Sequence, residues 1–149
     1  MTHTPTDLLW PAHDGSADLS AIEAVPLHER GLPATTYDTV LRAARLWPDR
    51  SALTVLPDAA RFLRPATVTF AQLRDQVHRT ANLLRSLGVT RRAAVGLLAP
   101  NTAELPAALL AAQAAGIAAP VNPGLASEHA EQLLRRSGAL CARPRPTSA

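Results

Sequence analysis

Residues 93–123 read AAVGLLAPNTAELPAALLAAQAAGIAAPVNP. Ala93 to Ala99 is an apolar run closed by Pro100, without the polar alternation of a half-solvated strand. A strand covered on both faces reads this way. Asn101 or Thr102 can then cap a helix that runs to Ala115 and stops at Gly116. That helix is apolar nearly all round, from Leu105 through Leu109 and Leu110 to Ala115, which predicts a place between layers. Pro106 falls in its first turns and is expected to delay or bend its start. Ile117 to Val121 reads as a second strand, closed by Asn122-Pro123-Gly124. Strand, helix and strand make one crossover unit, expected to be right-handed.

The flanking segments extend the pattern. Upstream, Thr69 stands three residues before Gln72, the spacing of a capping box. Behind it Phe70, Leu73, Val77, Ala81, Leu84 and Leu87 form one apolar stripe, and Gly88 supplies a left-handed stop. His78 falls off the stripe and is expected at the surface. Asp75 and Arg79 are spaced for an i,i+4 pair of about 0.3 kcal/mol. Downstream, Ser127 is expected to cap a last helix. Acids (Glu128, Glu131) stand early in it and Arg135 and Arg136 late, as the helix dipole favours. Gly138 ends it, and Ala139 to Ala142 should open another strand before the chain turns to Arg143-Pro144-Arg145-Pro146.

Before Thr69 the signals are shorter. Tyr37, Val40, Leu41 and Ala44 give one face of a helix over about Tyr37–Leu46, with Thr36 as its cap and Pro48 as its stop. Ser51–Leu56 and Thr67–Thr69 read as strands joined by a loop longer than a tight hairpin needs. Residues 1–33 are broken by Pro, Gly, Asp and Ser, with one helical turn expected over Ser20–Val25. The expected organisation is an irregular N-terminal extension over 1–35, an α/β body over 36–140 and a disordered Pro/Arg-rich tail over 141–149.

Composition narrows the function classes. The 149 residues are 47% hydrophobic and 18% charged, a globular balance. The net charge is +3 with the histidines neutral, but all fifteen basic residues are arginine and they are scattered. Only Arg91-Arg92 and Arg135-Arg136 are adjacent. This argues for GC-rich coding and a solvated surface, and against a nucleic-acid partner. No lysine is present, so no Schiff base or phosphate-loop ammonium can come from these residues. The single cysteine, Cys141, excludes an internal disulfide and a multi-cysteine zinc site; an exposed, reduced thiol is expected. No apolar run is long enough for a membrane span, and the start lacks the pattern of a signal peptide, so a cytoplasmic location is expected.

Six short stretches together resemble a known family. Trp47-Pro48-Asp49-Arg50-Ser51-Ala52-Leu53 and Thr69-Phe70-Ala71-Gln72-Leu73 are similar to opening motifs of adenylate-forming, AMP-binding acyl-CoA synthetases. Asn82 to Val89, Leu97-Leu98-Ala99-Pro100-Asn101 with Glu104, Ala114 to Pro123, and Ser137-Gly138-Ala139 resemble their successors in the same order. The resemblance spans about Tyr37 to Ala139. It implies the N-terminal part of the large domain of such ligases: an incomplete parallel α/β, Rossmann-like layered sheet with flanking helices. It also implies the family's chemistry, in which a carboxylate attacks the α-phosphate of ATP and a thiol, usually coenzyme A, displaces AMP. ATP, Mg²⁺ and coenzyme A are therefore implied for a full-length ligase, within fatty acid metabolism.

The family's phosphate loop, adenine and ribose motifs and catalytic lysine all lie beyond the matched part. Where the family often has a basic residue after Asn-Pro, this chain has Gly124. No catalytic, cofactor-binding or metal-ligating residue is assigned. Asn101 and Glu104 read as a helix cap and a first-turn acid. His129 beside Glu128 is not a metal pair, because neighbours on a helix point apart, and His3, His13 and His28 have no cluster around them. Three functional readings follow. The preferred one is a truncated ligase, inactive alone and prone to aggregation or chaperone association. The alternatives are a docking subunit whose partner is the separately encoded remainder of the ligase, and a small-ligand-binding α/β module.

Overall fold

The computed structural model describes residues 14–56 and 63–141. The expected tail beyond 141, the first thirteen residues and most of the long loop after β1 lie outside the described residues. The chain divides into two compact units, Met1–Thr35 and Thr36–Ala149.

The first unit carries helix α1, Ser16–Ala24, and a short 3-10 turn at Leu27–Glu29. The helix starts four residues ahead of the turn expected at Ser20–Val25. Local hydrogen bonds explain the extension. The Asp18 carboxylate accepts from the Asp14 N–H at 3.0 Å, and the Ser20 hydroxyl donates to the Ser16 carbonyl at 3.1 Å. At the other end the Arg30 guanidinium donates to the Val25 and Glu23 carbonyls at 2.6 and 3.1 Å, satisfying groups that a helix end leaves free. No residue of α1 is buried.

The second unit begins with α2, Thr36–Leu46, followed by β1, Ser51–Val55, and β2, Ala66–Thr69. β1 and β2 pair antiparallel, with an irregularity between Ser51 and Leu53. β2 ends on Thr69, the N-cap of α3, Phe70–Ser86. There the capping box forms as the sequence predicts: Thr69 Oγ1 accepts from Gln72 N at 3.2 Å, and Gln72 Oε1 accepts from Thr69 N at 2.9 Å. Leu73, Val77, Ala81 and Leu84 are buried, while Leu87, beyond the helix, is largely exposed. Asp75 pairs with Arg74, Nη2 to Oδ1 at 2.8 Å, instead of the expected Arg79. The nearer arginine already satisfies the carboxylate, also through Nε at 2.9 Å.

Next come β3, Ala94–Leu98; α4, Glu104–Ala115; β4, Ile117–Val121; α5, Ser127–Arg136; and β5, Leu140–Cys141. The three strands form a parallel sheet in the order β4-β3-β5, with β3 central. The strand expected from Ala139 is therefore present as two paired residues, Leu140 opposite Val95 and Cys141 opposite Gly96. Gly88 and Gly138 take positive φ, 91° and 60°, at the ends of α3 and α5 as read from the sequence.

Two expected caps do not form. α4 starts after Ala103 and α5 after Ala126, neither with a side-chain cap. Asn101 and Thr102 stand too far ahead of α4 to serve as its N-cap, and Ser127 is already inside α5. Pro106 sits in the third position of α4, where its missing N–H has no helical acceptor to lose, so the helix runs through it.

The core lies between α2, α3, α4 and one sheet face. Val77, Ala111 and Ala112 are fully buried and Val95 is 1% exposed. Ala107, Ala111 and Ala115 recur every four residues on α4 and let α3 approach closely. His78 is half-buried here, not at the surface as expected. Its Nε2 lies 2.5 Å from the Tyr37 hydroxyl, a hydrogen bond that ties α3 to α2.

Candidate functional site

Ligands of open parallel sheets sit outside the carboxyl ends of the strands, where successive connections leave in opposite directions. Here β3 connects through α4 to one neighbour, β4, and the chain then returns through α5 to β5 on the other side of β3. A cleft of about 400 Å³ opens at this edge. Leu97, Ala99, Leu105 and Val121 make its apolar walls, and Pro120 and Pro123 contribute beside them. Its side-chain polar groups come from Asn101 and Asn122.

Each wall follows from local structure. Leu97 ends the β3 face that also carries Val95, and Pro100 stops the strand so that Asn101 turns into the cleft mouth. Asn122 closes a tight turn after β4, where its Oδ1 accepts from Gly124 N at 2.9 Å. This carboxamide is therefore partly committed to the backbone. At the opposite ends of these strands, close packing constrains the passage from α4 into β4. A Cβ at Gly116 would lie 2.5 Å from the Ala93 carbonyl oxygen and 2.8 Å from that of Thr90, so only glycine fits this passage.

The lining carries no charged side chain. Glu104 opens α4, and the Thr102 side-chain hydrogen bond, followed by its own backbone N–H, holds its carboxyl below the usual 4.5. Glu104 is exposed and is not among the lining residues, so it keeps the first-turn role read from the sequence; Asn101 does not keep the capping role and lines the cleft instead. The signal for Asn101 was its place after Pro100, at the end of a buried strand. His129 is exposed beside Glu128, and His28 lies 3.5 Å from Glu29 at the surface. Among the described residues no cluster of three His, Cys, Asp or Glu could hold a metal. The thiol of Cys141 lies outside the described side chains.

These residues do not fit a nucleoside triphosphate. The cleft offers two carboxamides and apolar walls, with no cation among its lining side chains. Gly124 beyond it adds no charge. What the arrangement provides is a preformed apolar edge on a rigid α/β scaffold.

The same scaffold defines the class of protein. The profile of the AMP-binding enzyme family matches residues 40–142, and the chain belongs to that family. It is 31% identical over 113 residues to the marinolic acid–CoA ligase of a Pseudoalteromonas species, covering 76% of this chain and 17% of the relative. It is 36% identical over 106 residues to the mouse mitochondrial medium-chain acyl-CoA ligase ACSF2, covering 70% of this chain and 16% of that one. Among solved structures, the acetoacetyl-CoA synthetase of Streptomyces lividans superposes with a TM-score of 0.62 at 33% identity, over 69% of this chain and 16% of its own. The chain thus spans about one sixth of the length of the ligases it resembles. Among the described residues no helix is long and apolar enough to cross a membrane.

Proposed function

We propose that this chain is the N-terminal portion of an acid–thiol ligase of the acyl-CoA synthetase type and is inactive by itself. The parent reaction joins a carboxylic acid to the α-phosphate of ATP, releases pyrophosphate, and passes the acyl group to a thiol, with coenzyme A the expected acceptor. The named relatives act as CoA ligases, which supports an aliphatic or similar organic acid as substrate and a role in fatty acid metabolism. The contribution of this chain is architectural: β3, β4 and α4 form a packed edge against which a substrate-bearing part of the domain can rest.

One observation carries the reading. A family match over residues 40–142 coincides with a cleft that presents no cation and a sequence with no lysine. Stabilising the charge that develops on a transferring nucleotidyl group needs preorganised cations or donors at the reacting phosphate. The test is ATP–pyrophosphate exchange with the purified chain, Mg²⁺ and a panel including acetoacetate and octanoate. No exchange above a protein-free blank is expected. Exchange that co-purifies with the chain and follows the acid supplied would overturn the proposal.

A further inference from the structure

Arginines that are scattered along the sequence are gathered by the fold. α3, α4 and α5 run against the strands they connect to, so their last turns reach the amino end of the parallel sheet, opposite the cleft. Hydrogen bonds fix the level. The Arg85 guanidinium donates to the Ala114 carbonyl in the last turn of α4 at 3.1 Å. The Ala93 carbonyl, next to Arg92, accepts the Ile117 N–H at the start of β4 at 3.0 Å. Ala139 follows α5, donates to the Leu134 carbonyl at 3.2 Å and leads into Leu140, which pairs with Val95 near the start of β3. Arg85, Arg91, Arg92, Arg135 and Arg136 therefore share this end, and all are exposed. Glu131 is paired with Arg135. The first-turn acids Glu104 and Glu128 open α4 and α5 at the other end.

Helix dipoles account for part of this arrangement. Arg85, Arg135 and Arg136 stand in the last turns of α3 and α5, where a cation is favoured. Arg91 and Arg92 gain nothing from a helix end. They lie in the turn between Gly88 and β3 and pair with no acid among the described residues. Two large apolar side chains stand beside them in water. Leu83 is 58% exposed and Leu87 is 62% exposed, four residues apart at the end of α3 with Arg85 between them in the sequence.

We infer that this end of the chain, from Leu83 to Arg92 with Arg135 and Arg136 at the same level, is a contact surface for an anionic lipid bilayer. The surface is separate from the cleft and independent of the proposed function. Charge complementarity selects an anionic partner, because only Arg135 of the five arginines has an acid paired with it. Clusters of about four or more basic residues suffice to hold a protein at such a membrane. The leucines select a bilayer over a nucleic acid. Leu83 and Leu87 can enter the boundary between headgroups and acyl chains while the arginines stay at the level of the phosphates, their stems lying along apolar surface. Stacking on bases needs aromatic side chains, and the described ones lie elsewhere. Tyr37 is engaged with His78 midway along α3, and Trp47 and Phe70 lie at its start.

The experiment measures sedimentation of the full chain with vesicles of phosphatidylcholine alone and of phosphatidylcholine with about one third phosphatidylglycerol. Binding to the anionic vesicles only is expected, with loss at about 0.5 M salt. Each arginine near such a surface contributes about a fivefold factor. Arg91→Gln combined with Arg92→Gln should therefore weaken partitioning at least tenfold. Arg45→Gln combined with Arg50→Gln removes the same charge near the other end of the 17-residue α3, about 25 Å away, and should leave partitioning nearly unchanged. Leu83→Ser combined with Leu87→Ser should weaken binding and leave its salt dependence intact. Melting curves of the variants without vesicles identify any loss that comes from unfolding. The wild type needs no variant: its hydrogen exchange at residues 83–92 should slow on anionic vesicles. Failure to bind them, equal binding to phosphatidylcholine alone, equal loss from the two arginine pairs, or bound protein without protection at 83–92 would each overturn the inference. Capture by a DNA duplex or by polyglutamate where anionic vesicles fail would overturn it as well.

Discussion

Replacing Gly116 by alanine adds a single methyl group, yet the packing around it makes the change severe. The new Cβ would meet the Ala93 carbonyl oxygen at 2.5 Å, the Thr90 carbonyl oxygen at 2.8 Å and Val89 Cγ1 at 3.0 Å. The first two are backbone atoms and cannot rotate away. The Ala93 oxygen also accepts the Ile117 N–H at 3.0 Å, the bond that starts β4 beside β3. Relieving the clash must shift either the loop after α3 or the start of β4. Overpacking of this kind costs about 1–3 kcal/mol, and a weakened hydrogen bond adds about 1 kcal/mol, for a total of about 3 kcal/mol. A chain of this length loses about 2–4 °C of melting temperature per kcal/mol, so the midpoint should fall by about 6–12 °C. Thermal unfolding followed by circular dichroism measures this directly. Gly88→Ala is the control: its φ of 91° is left-handed but its surroundings are open, so it should cost only about 1–2 kcal/mol. If Gly116→Ala melts within about 2 °C of the parent, or Gly88→Ala is the worse of the two, the close-passage argument is wrong.

Three further outcomes are expected. Thr69→Ala removes one half of the capping box and should lower stability by about 1 kcal/mol in urea titration; an unchanged midpoint would show that α3 does not need its cap. Tyr37→Phe deletes the half-buried hydrogen bond to His78 and should cost about 1 kcal/mol. Its histidine ring resonances should shift in NMR spectra, and spectra identical to the parent's would place the two side chains apart. Thr102→Val should raise the Glu104 pKa toward 4.5, since the Thr102 bond is the main cause of its depression. The sign is fixed by that direction. A carboxyl with a lowered folded pKa lends stability that is complete above 4.5 and is lost as pH falls through the folded value. The variant should therefore differ from the parent above that window and match it below; a carboxyl titration unmoved by the substitution counts against the bond.

The elements that the sequence made legible are those whose signals are local and redundant. α3 combines a capping box, a 3.6-residue stripe and a terminal glycine, so Thr69, Gln72 and Gly88 each fix part of it independently. The β3–α4–β4 unit was legible because Pro100, Gly116 and Pro123 bound three largely apolar runs. The misses come from partners that a local pattern cannot rank or cannot see. Asp75 had two arginines within reach and took Arg74. Thr102 could cap a helix or bond Glu104, and the geometry after Pro100 favoured the second. His78 sits off its own helix's stripe and reads as exposed, because a single-helix pattern carries no information about α2 crossing over it.

The same limit explains why the site was harder to see than the fold. A cleft at the end of a parallel sheet is made where β3 and β4 stop, by residues twenty or so apart with no shared motif. Asn101 and Asn122 are each legible only as turn residues, and neither suggests the other. The uncovered face of the parallel sheet was invisible for a related reason. Ala94, Gly96, Ala119 and Val121 read as buried strand positions, and in composition they are. The structure leaves them half-buried between the exposed ends Leu98 and Ile117. A strand written for two covered faces but covered on one is a local rule kept and a tertiary expectation unmet. A cleft lined by two carboxamides and apolar side chains, with no charge among them, carries no motif that a reading of the sequence could pick out.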